Sequence, residues 1–283
     1  MATVGRKEEL VRFLGCLKNQ TYRELELIVV DQNTDDRVTT VLREHGAGFE
    51  IHHLRCERGR SKALNIGLKH VTGDVVVFPD DDCWYTPELL ERVAQFFRDY
   101  PKWGGFGGRS VMETGEPSGG RWSRRAGPVT RNNVWRRAVS FTIFLRSSYL
   151  KNHKFDETLG VGAGTPWGAG EETDFVLQML ESGCCIYYDP TVLVYHPNMI
   201  GPLTSARYRK AESYGKGMGR VLRKNGYPFH TAIYYMLRPF GGTVLAILRG
   251  RLAQAKLHWL TFAGRFGGWF GIASSLSGPG PGQ

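Results

Sequence analysis

Residues 74–85 read DVVVFPDDDCWY, a passage in two parts of opposite character. Asp74 to Pro79 is a short β-branched apolar run, the pattern of a buried strand. It ends in Asp80-Asp81-Asp82, three carboxylates in succession. Three adjacent negative charges at a strand end repel one another. A hard divalent cation, Mg²⁺ or Mn²⁺, offsets that repulsion and takes substrate phosphates as well. The i, i+2 spacing of Asp80 and Asp82 directs both side chains to one side of an extended turn. Asp81 then faces a ribose hydroxyl or a helix N-terminus. The triplet would also serve as an acidic turn before the helix that Thr86-Pro87-Glu88 opens.

Upstream of this passage, strand and helix patterns alternate. Leu10, Val11, Leu14 and Leu17 recur at helical spacing, and LELIVVD (Leu25–Asp31) follows as a second buried strand. A helix is expected near residues 37–45, a strand near 49–54, and an amphipathic helix over RSKALNIGLKH. The strands are continuous apolar runs, which predicts an α/β fold: a doubly wound, mostly parallel sheet with helices on both faces. Ligands bind such sheets at the carboxyl ends of the strands, where Asp31 and Asp80 both lie. Downstream, residues 104–137 predict a strand and a long loop, and residues 139–145 another strand. The glycine-rich stretch 155–170 runs into a helix ending at Gly183. CCIYYDPTVLVYHP then gives one or two strands closed by His196.

Four further groups carry candidate chemistry. Asp31 would accept hydrogen bonds from a ribose or a uracil ring, or would only order its own turn. Arg58, Arg60 and Lys62 would face a diphosphate near a helix N-terminus, or form a solvated basic helix start. Glu171, Glu172 and Asp174 crowd a helix start after a flexible loop; they suit the helix dipole, or one of them is a general base. His196 ends a strand on the expected active edge, where it would contact metal or phosphate.

Taken in order, LELIVVD, GRSKALNIG, VVVFPDDD, GEETDF and YHP resemble the family 2 glycosyltransferases with a GT-A fold. The resemblance runs from about Ala2 to Pro197. It implies an inverting transfer of a sugar from a nucleotide-sugar, a UDP-sugar favoured, to an acceptor hydroxyl. The acceptor would be a sugar or a lipid-linked molecule of polysaccharide, cell-envelope or glycolipid synthesis. By the same resemblance Asp31 contacts the base, while Asp80 and Asp82 serve metal, diphosphate and ribose. Asp81, Thr3, Arg6, Arg58, Lys62 and Asn65 complete the donor contacts, and His196 joins the metal set. The acidic pair supplies the base, with Glu172 favoured. Family members usually carry Asp there, which leaves Glu171 and Asp174 open. Members also begin with a buried apolar strand just before the segment matching ATVGR. That strand is missing here, so ATVGR is expected as the following loop, the recorded start as downstream of the natural one, and two strand edges as exposed.

Charge divides the chain differently. Lys+Arg total 37 and Asp+Glu 27, yet from Met199 onward there are 12 basic residues and one acidic residue, Glu212. The excess belongs to the C-terminal third, which points to an anionic partner. Residues 1–198 are expected as the catalytic domain and 199–283 as a basic, helical, membrane-associating region. Arg238-Pro239, Lys256, His258 and Arg265 interrupt its two apolar stretches, too closely for a spanning helix. Amphipathic helices in the headgroup region are expected, with an ordinary packed appendage as the other reading. The expected location is cytoplasmic, peripheral on the inner face of the membrane. Tail aromatics are not interleaved with the basic cluster, so nucleic acid is not expected. SGPGPGQ reads as disordered. Five cysteines without CxxC spacing read as reduced thiols. The other function classes are a nucleotidyltransferase and an inactive membrane-associated nucleotide-sugar-binding protein.

Overall fold

The computed structural model describes residues 1–197 and 201–272. The C-terminal SGPGPGQ lies outside the described residues. The chain divides into two compact units. One is Met1–Asp156 with Glu172–Ile200, and the other is Glu157–Glu171 with Gly201–Gln283.

The first unit is α/β. Its strands are β1 (Ala2–Thr3), β2 (Glu26–Asp31), β3 (Glu50–Arg55), β4 (Val75–Val77), β5 (Trp84–Tyr85), β6 (Gly105–Val111), β7 (Gly127–Pro128), β8 (Ile143–Arg146) and β9 (Ile186–Tyr195). Its helices are α1 (Glu8–Lys18), α2 (Arg37–His45), α3 (Arg60–Leu68), α4 (Leu89–Asp99) and α5 (Glu171–Glu181), the last beginning at the unit boundary. The alternation expected over the first hundred residues is present. The β1–β2–β3 sheet is entirely parallel. The second sheet runs β4–β8–β6–β9–β5, with β7 on β9, and mixes parallel with antiparallel pairs. Leu10, Phe13 and Leu14 of α1 pack with Val29, Val38, Val93 and Phe144 in one core. That core orders α1 and α4 by their apolar faces.

Ala2–Thr3 corrects one expectation. Read as loop, these residues instead add two ladder pairs to the end of β2, Ala2 opposite Val30 and Thr3 opposite Asp31. Short apolar and β-branched residues suit that extended edge. Between β2 and β4 lies a cavity of about 410 Å³ lined by residues including Leu27, Val30, Val75 and Val77. The Met1 amine reaches the Ile28 carbonyl at 2.7 Å beside it. Burial, and then the nearby Arg60 charge, push that amine down to about 5.

The second unit holds α6 (Ser205–Lys224), α7 (Phe229–Leu248) and α8 (Leu252–Phe270). Helices α6 and α8 meet through glycines. A Cβ at Gly219 would sit 2.1 Å from the Arg265 carbonyl oxygen, and one at Gly268 would sit 2.0 Å from that of Lys216. Backbone-to-backbone approach this close is open only to residues without a side chain. The five cysteines are all free thiols.

Candidate active site

The acidic triplet follows β4 and precedes β5, at the carboxyl end of the strand, where an α/β sheet places its ligands. Two loops bring cations to it. Arg6 leaves the loop after β1; its Nε is 3.3 Å from Asp81 and its Nη2 is 2.9 Å from Asp82. Arg60 opens α3. The residue before it, Gly59, has φ +141°, a backbone state that an L side chain rarely adopts. Its N–H donates to Gln32 Oε1 at 2.7 Å, which pins the turn to the end of β2. Arg60 Nη1 then donates to Asp80 Oδ1 at 2.5 Å.

His196 follows β9. It lies in the same group because β9 and β6 run parallel and its N–H donates to the Val111 carbonyl. Its Nε2 is 3.1 Å from Asp82 Oδ1 and 3.9 Å from Asp80 Oδ2. Its Nδ1 is 3.4 Å from Ser118 Oγ, and Phe141 stacks on the ring at 4.9 Å. One ligand atom from each of Asp80, Asp82 and His196 lies within 4.8 Å of the others. Two carboxylates and an imidazole form a donor set that suits Mn²⁺, and Mg²⁺ less closely because of the nitrogen. Asp80 and Asp82 face His196, while Asp81 accepts from Thr3 Oγ1 at 2.7 Å.

The electrostatics differ across the triplet. Burial pushes Asp81 up to about 6, against the opposing hydrogen bond from Thr3 and the Arg6 charge. Burial acts the same way on Asp82, but hydrogen bonding to His196 and the charges of His196 and Arg6 outweigh it, and Asp82 falls below its ordinary value. Burial alone would lower His196; the Asp82 carboxylate raises it instead.

Glu172 joins this group through Arg60. Arg60 Nη2 donates to Glu172 Oε1 at 2.9 Å and to Ser140 Oγ at 3.1 Å. Ser140 Oγ donates to the same carboxylate oxygen at 2.7 Å. One guanidinium therefore reaches from Asp80 to Glu172 at the start of α5. Asp174, two residues along α5, is fully buried and accepts from Gln178 Nε2 at 2.9 Å. Glu171 is buried, its carboxyl beside Gly160.

The remaining expected residues fall in two places. Asp31 is fully buried at the end of β2, accepts from the backbone and side chain of Asn33, and has His53 Nε2 at 3.2 Å. Lys62 pairs with Glu57 at 2.7 Å, and Arg58 is exposed. Asn65 does something the sequence did not suggest. Its amide donates to the Phe155 carbonyl at 2.9 Å and accepts from the Phe155 N–H at 2.8 Å, tying α3 to the segment after β8. Sequence reading did not find Ser140, Ser118 or His53. Single serines and a histidine carry no periodic signal, and only the fold brings Ser140 to Glu172, His53 to Asp31 and Ser118 to His196.

The profile of Glycosyl transferase family 2 matches residues 1–154. An uncharacterized glycosyltransferase of Haemophilus influenzae is 33% identical over 99 residues, which is 34% of this chain and 33% of that protein. The amylovoran biosynthesis glycosyltransferase AmsB of Erwinia amylovora is 30% identical over 93 residues, 31% of each chain. The pre-mycofactocin glycosyltransferase of Mycobacterium tuberculosis is 29% identical over 189 residues, 62% of this chain and 38% of that one. The matched stretch thus spans about a third of the length of these curated relatives. Among solved structures, the mannosyltransferase PcManGT of Pyrobaculum calidifontis, in complex with GDP-Man and Mn²⁺, superposes with a TM-score of 0.64 at 15% identity. It covers 94% of this chain and 85% of its own. S. aureus TarS 1–349 in complex with UDP-GlcNAc gives 0.61 at 15% identity, over 91% and 89%.

Proposed function

The chain belongs to glycosyl transferase family 2, and we propose that it is an inverting, metal-dependent glycosyltransferase using a nucleotide-sugar donor. The observation that carries this reading is the single group formed by Asp80, Asp82, His196, Arg60 and Glu172. In this reading a cation site and a carboxylate base lie on either side of one guanidinium.

Asp31 binds the donor's base, and Thr3, Arg6 and Asp81 hold the ribose side. Arg58 and Lys62 stand near the start of α3 as diphosphate contacts, and Asn65 positions that helix. Asp80, Asp82 and His196 would hold Mn²⁺ or Mg²⁺, which when bound neutralises charge growing on the departing diphosphate. Glu172 takes the acceptor hydroxyl proton; Arg60 and Ser140 fix its carboxylate in place. The acceptor oxygen bonds to the anomeric carbon as the bond to the diphosphate oxygen breaks. The nucleoside diphosphate leaves with that electron pair. A single displacement inverts the anomeric centre and needs no nucleophilic side chain. UDP-sugars are the favoured donors, and the acceptor is a hydroxyl of a polysaccharide, cell-envelope or glycolipid precursor.

The second unit supports work at a membrane surface. The inner stripe of α7 is Ala232, Met236, Pro239, Thr243 and Ala246. Its outward side carries Tyr234, Leu237, Phe240, Val244, Leu245 and Leu248, all exposed. The amphipathic helix expected there is instead apolar on both sides. Such an outward face is costly in water and suits lipid. Arg238 is exposed mid-helix, and Arg249 and Arg251 are exposed at the turn into α8. By length and composition α7 could cross a bilayer; the mid-helix charge of Arg238 favours a helix lying in the headgroup region instead. We place the enzyme on the cytoplasmic face.

The test is a panel of UDP-, GDP- and dTDP-sugars with and without Mn²⁺, scored for hydrolysis and transfer. Metal-dependent turnover of one donor is expected. A folded full-length protein that neither binds nor turns over any donor would sink this reading, and nucleotidyl transfer would replace it.

A further inference from the structure

Between Glu116 and Asp156 the chain contains no acidic residue, yet it carries nine lysines and arginines. Six of these, Arg121, Arg124, Arg125, Arg131, Arg136 and Arg137, lie within one loop of the first unit. A solvated surface usually intersperses both signs, so a one-sign run of this length builds a local positive field.

The loop is folded into a cleft. A cavity of about 350 Å³ is lined by Trp122, Arg124, Arg125, Asn133, Arg136 and Arg137. Arg137 is its frame. It donates to the carbonyls of Pro128 and Arg125 and to Ser123 Oγ, and its Nε is buried without a hydrogen-bond partner. Tyr188 braces the same wall, donating to the Ser123 carbonyl at 2.8 Å. Arg124, Arg125 and Arg136 are exposed, and among the described residues no carboxylate pairs with them. Arg131 is different: it meets Glu181.

Both ends of this loop are tied to the active site. At one end, Trp122 Nε1 donates to the Ser118 carbonyl at 2.7 Å, and Ser118 Oγ meets His196. At the other end, Ser140 hydrogen-bonds to Glu172 only three residues after Arg137. At most about 11 Å of backbone separates Arg137 from Ser140, the residue that holds the base.

We propose that this cleft binds a phosphate group of a phosphate-bearing acceptor chain, so that a hydroxyl of a nearby unit reaches Glu172. Phosphate is favoured over carboxylate because a carboxylate uses one guanidinium fork. A phosphate has oxygens enough to engage several, and the exposed Arg124, Arg125 and Arg136 all line this cleft. Trp122 adds a flat apolar wall, which suits a sugar next to the phosphate. The word acceptor rests on the glycosyl-transfer reading; the anion site does not.

The experiment uses the full chain. Binding of a short linear inorganic polyphosphate, with neutral dextran as control, is measured for wild type, for R124E/R136E, and for R207E/R209E on α6. The two variants change net charge equally. Wild type should bind polyphosphate and not dextran. R124E/R136E should lose at least about tenfold in affinity and R207E/R209E less than about threefold. Equal losses in both variants would reduce the effect to net charge and overturn the proposal. So would a wild-type protein that does not bind polyphosphate. Vesicles containing anionic phospholipid form a separate arm: if R124E/R136E lost vesicle binding while retaining polyphosphate binding, the patch would be a membrane contact instead. R124Q/R136Q, read with the thermal midpoint, replaces the reversal if that variant misfolds. UDP-sugar binding is measured in parallel, so failure of the donor reading shows separately from failure of the cleft.

Discussion

Asp81→Asn should make the protein more stable and a poorer enzyme. Asp81 has a side chain only 12% exposed, and burial raises its proton affinity from 3.8 to about 6. The sign follows from linkage. The folded state holds the proton more tightly than the unfolded state, so ionising Asp81 costs stability as pH rises through about 4 to 6. Two pH units at about 1.4 kcal/mol each come to roughly 3 kcal/mol at neutral pH. Asparagine stands in for the protonated acid. Its carbonyl still accepts from Thr3 Oγ1, and only the 3.3 Å contact with Arg6 is weakened. The gain should therefore approach about 3 kcal/mol near pH 7.5 and shrink to about 1 kcal/mol near pH 4.5, where the wild-type carboxyl is already largely protonated. Urea denaturation of both proteins at the two pH values reads this directly. Donor affinity, measured alongside, should fall if Asp81 serves the ribose. An advantage that does not change with pH, or a variant less stable near pH 7.5, would refute the reasoning.

Glu172→Gln should keep donor binding within about twofold and cut transfer by at least about 100-fold, measured as donor affinity and single-turnover rate; surviving transfer would place the base elsewhere. Asp82→Asn removes the charge of one of the three candidate ligands and should weaken Mn²⁺-dependent donor binding at least about tenfold, read by titration with and without the metal. Gly219→Ala puts a Cβ 2.1 Å from the Arg265 carbonyl and should cost roughly 1–3 kcal/mol, seen as a lowered thermal midpoint. L237E/L245E changes two exposed apolar residues of α7 and should release the protein from anionic vesicles in a sedimentation assay. Unchanged partitioning would leave α7 as a packed appendage.

The parts of the fold that local chemistry dictates were legible in the sequence. Val75–Val77 and Glu26–Asp31 form strands because β-branched apolar runs bury well on both faces. α6, Ser205–Lys224, lies in the C-terminal region that the sequence marks as basic and helical. The Asp80/Asp82 pair was legible by its i, i+2 spacing. What escaped depends on long-range pairing. Ala2–Thr3 looks like loop in isolation and becomes a strand only because the end of β2 is there to pair with. Ser140 meets Glu172 across 32 residues, and Arg60 meets it across 112. Nothing in either local pattern encodes those distances. Asn65 was expected among the donor contacts by family resemblance. Its amide matches a backbone donor and acceptor 90 residues away, which a buried amide must find somewhere.

The acidic triplet itself changes meaning once its partners are seen. Repulsion among three carboxylates suggested a cation from outside, but the chain supplies its own: Arg60 on Asp80, Arg6 on Asp81 and Asp82, and His196 on Asp82. Charge alone therefore no longer argues for a metal. The argument now rests on geometry, since Asp80, Asp82 and His196 converge on one point. A divalent ion entering there competes with the Arg60 and His196 contacts that already satisfy those oxygens. Binding of the metal alone should then be weak. A diphosphate changes the balance, because it offers the displaced guanidinium a new anion while sharing the metal. Arg60 also holds Glu172, so any shift of Arg60 toward the diphosphate loosens its grip on that carboxylate. In the proposed mechanism donor binding and release of the base would be linked through this single side chain.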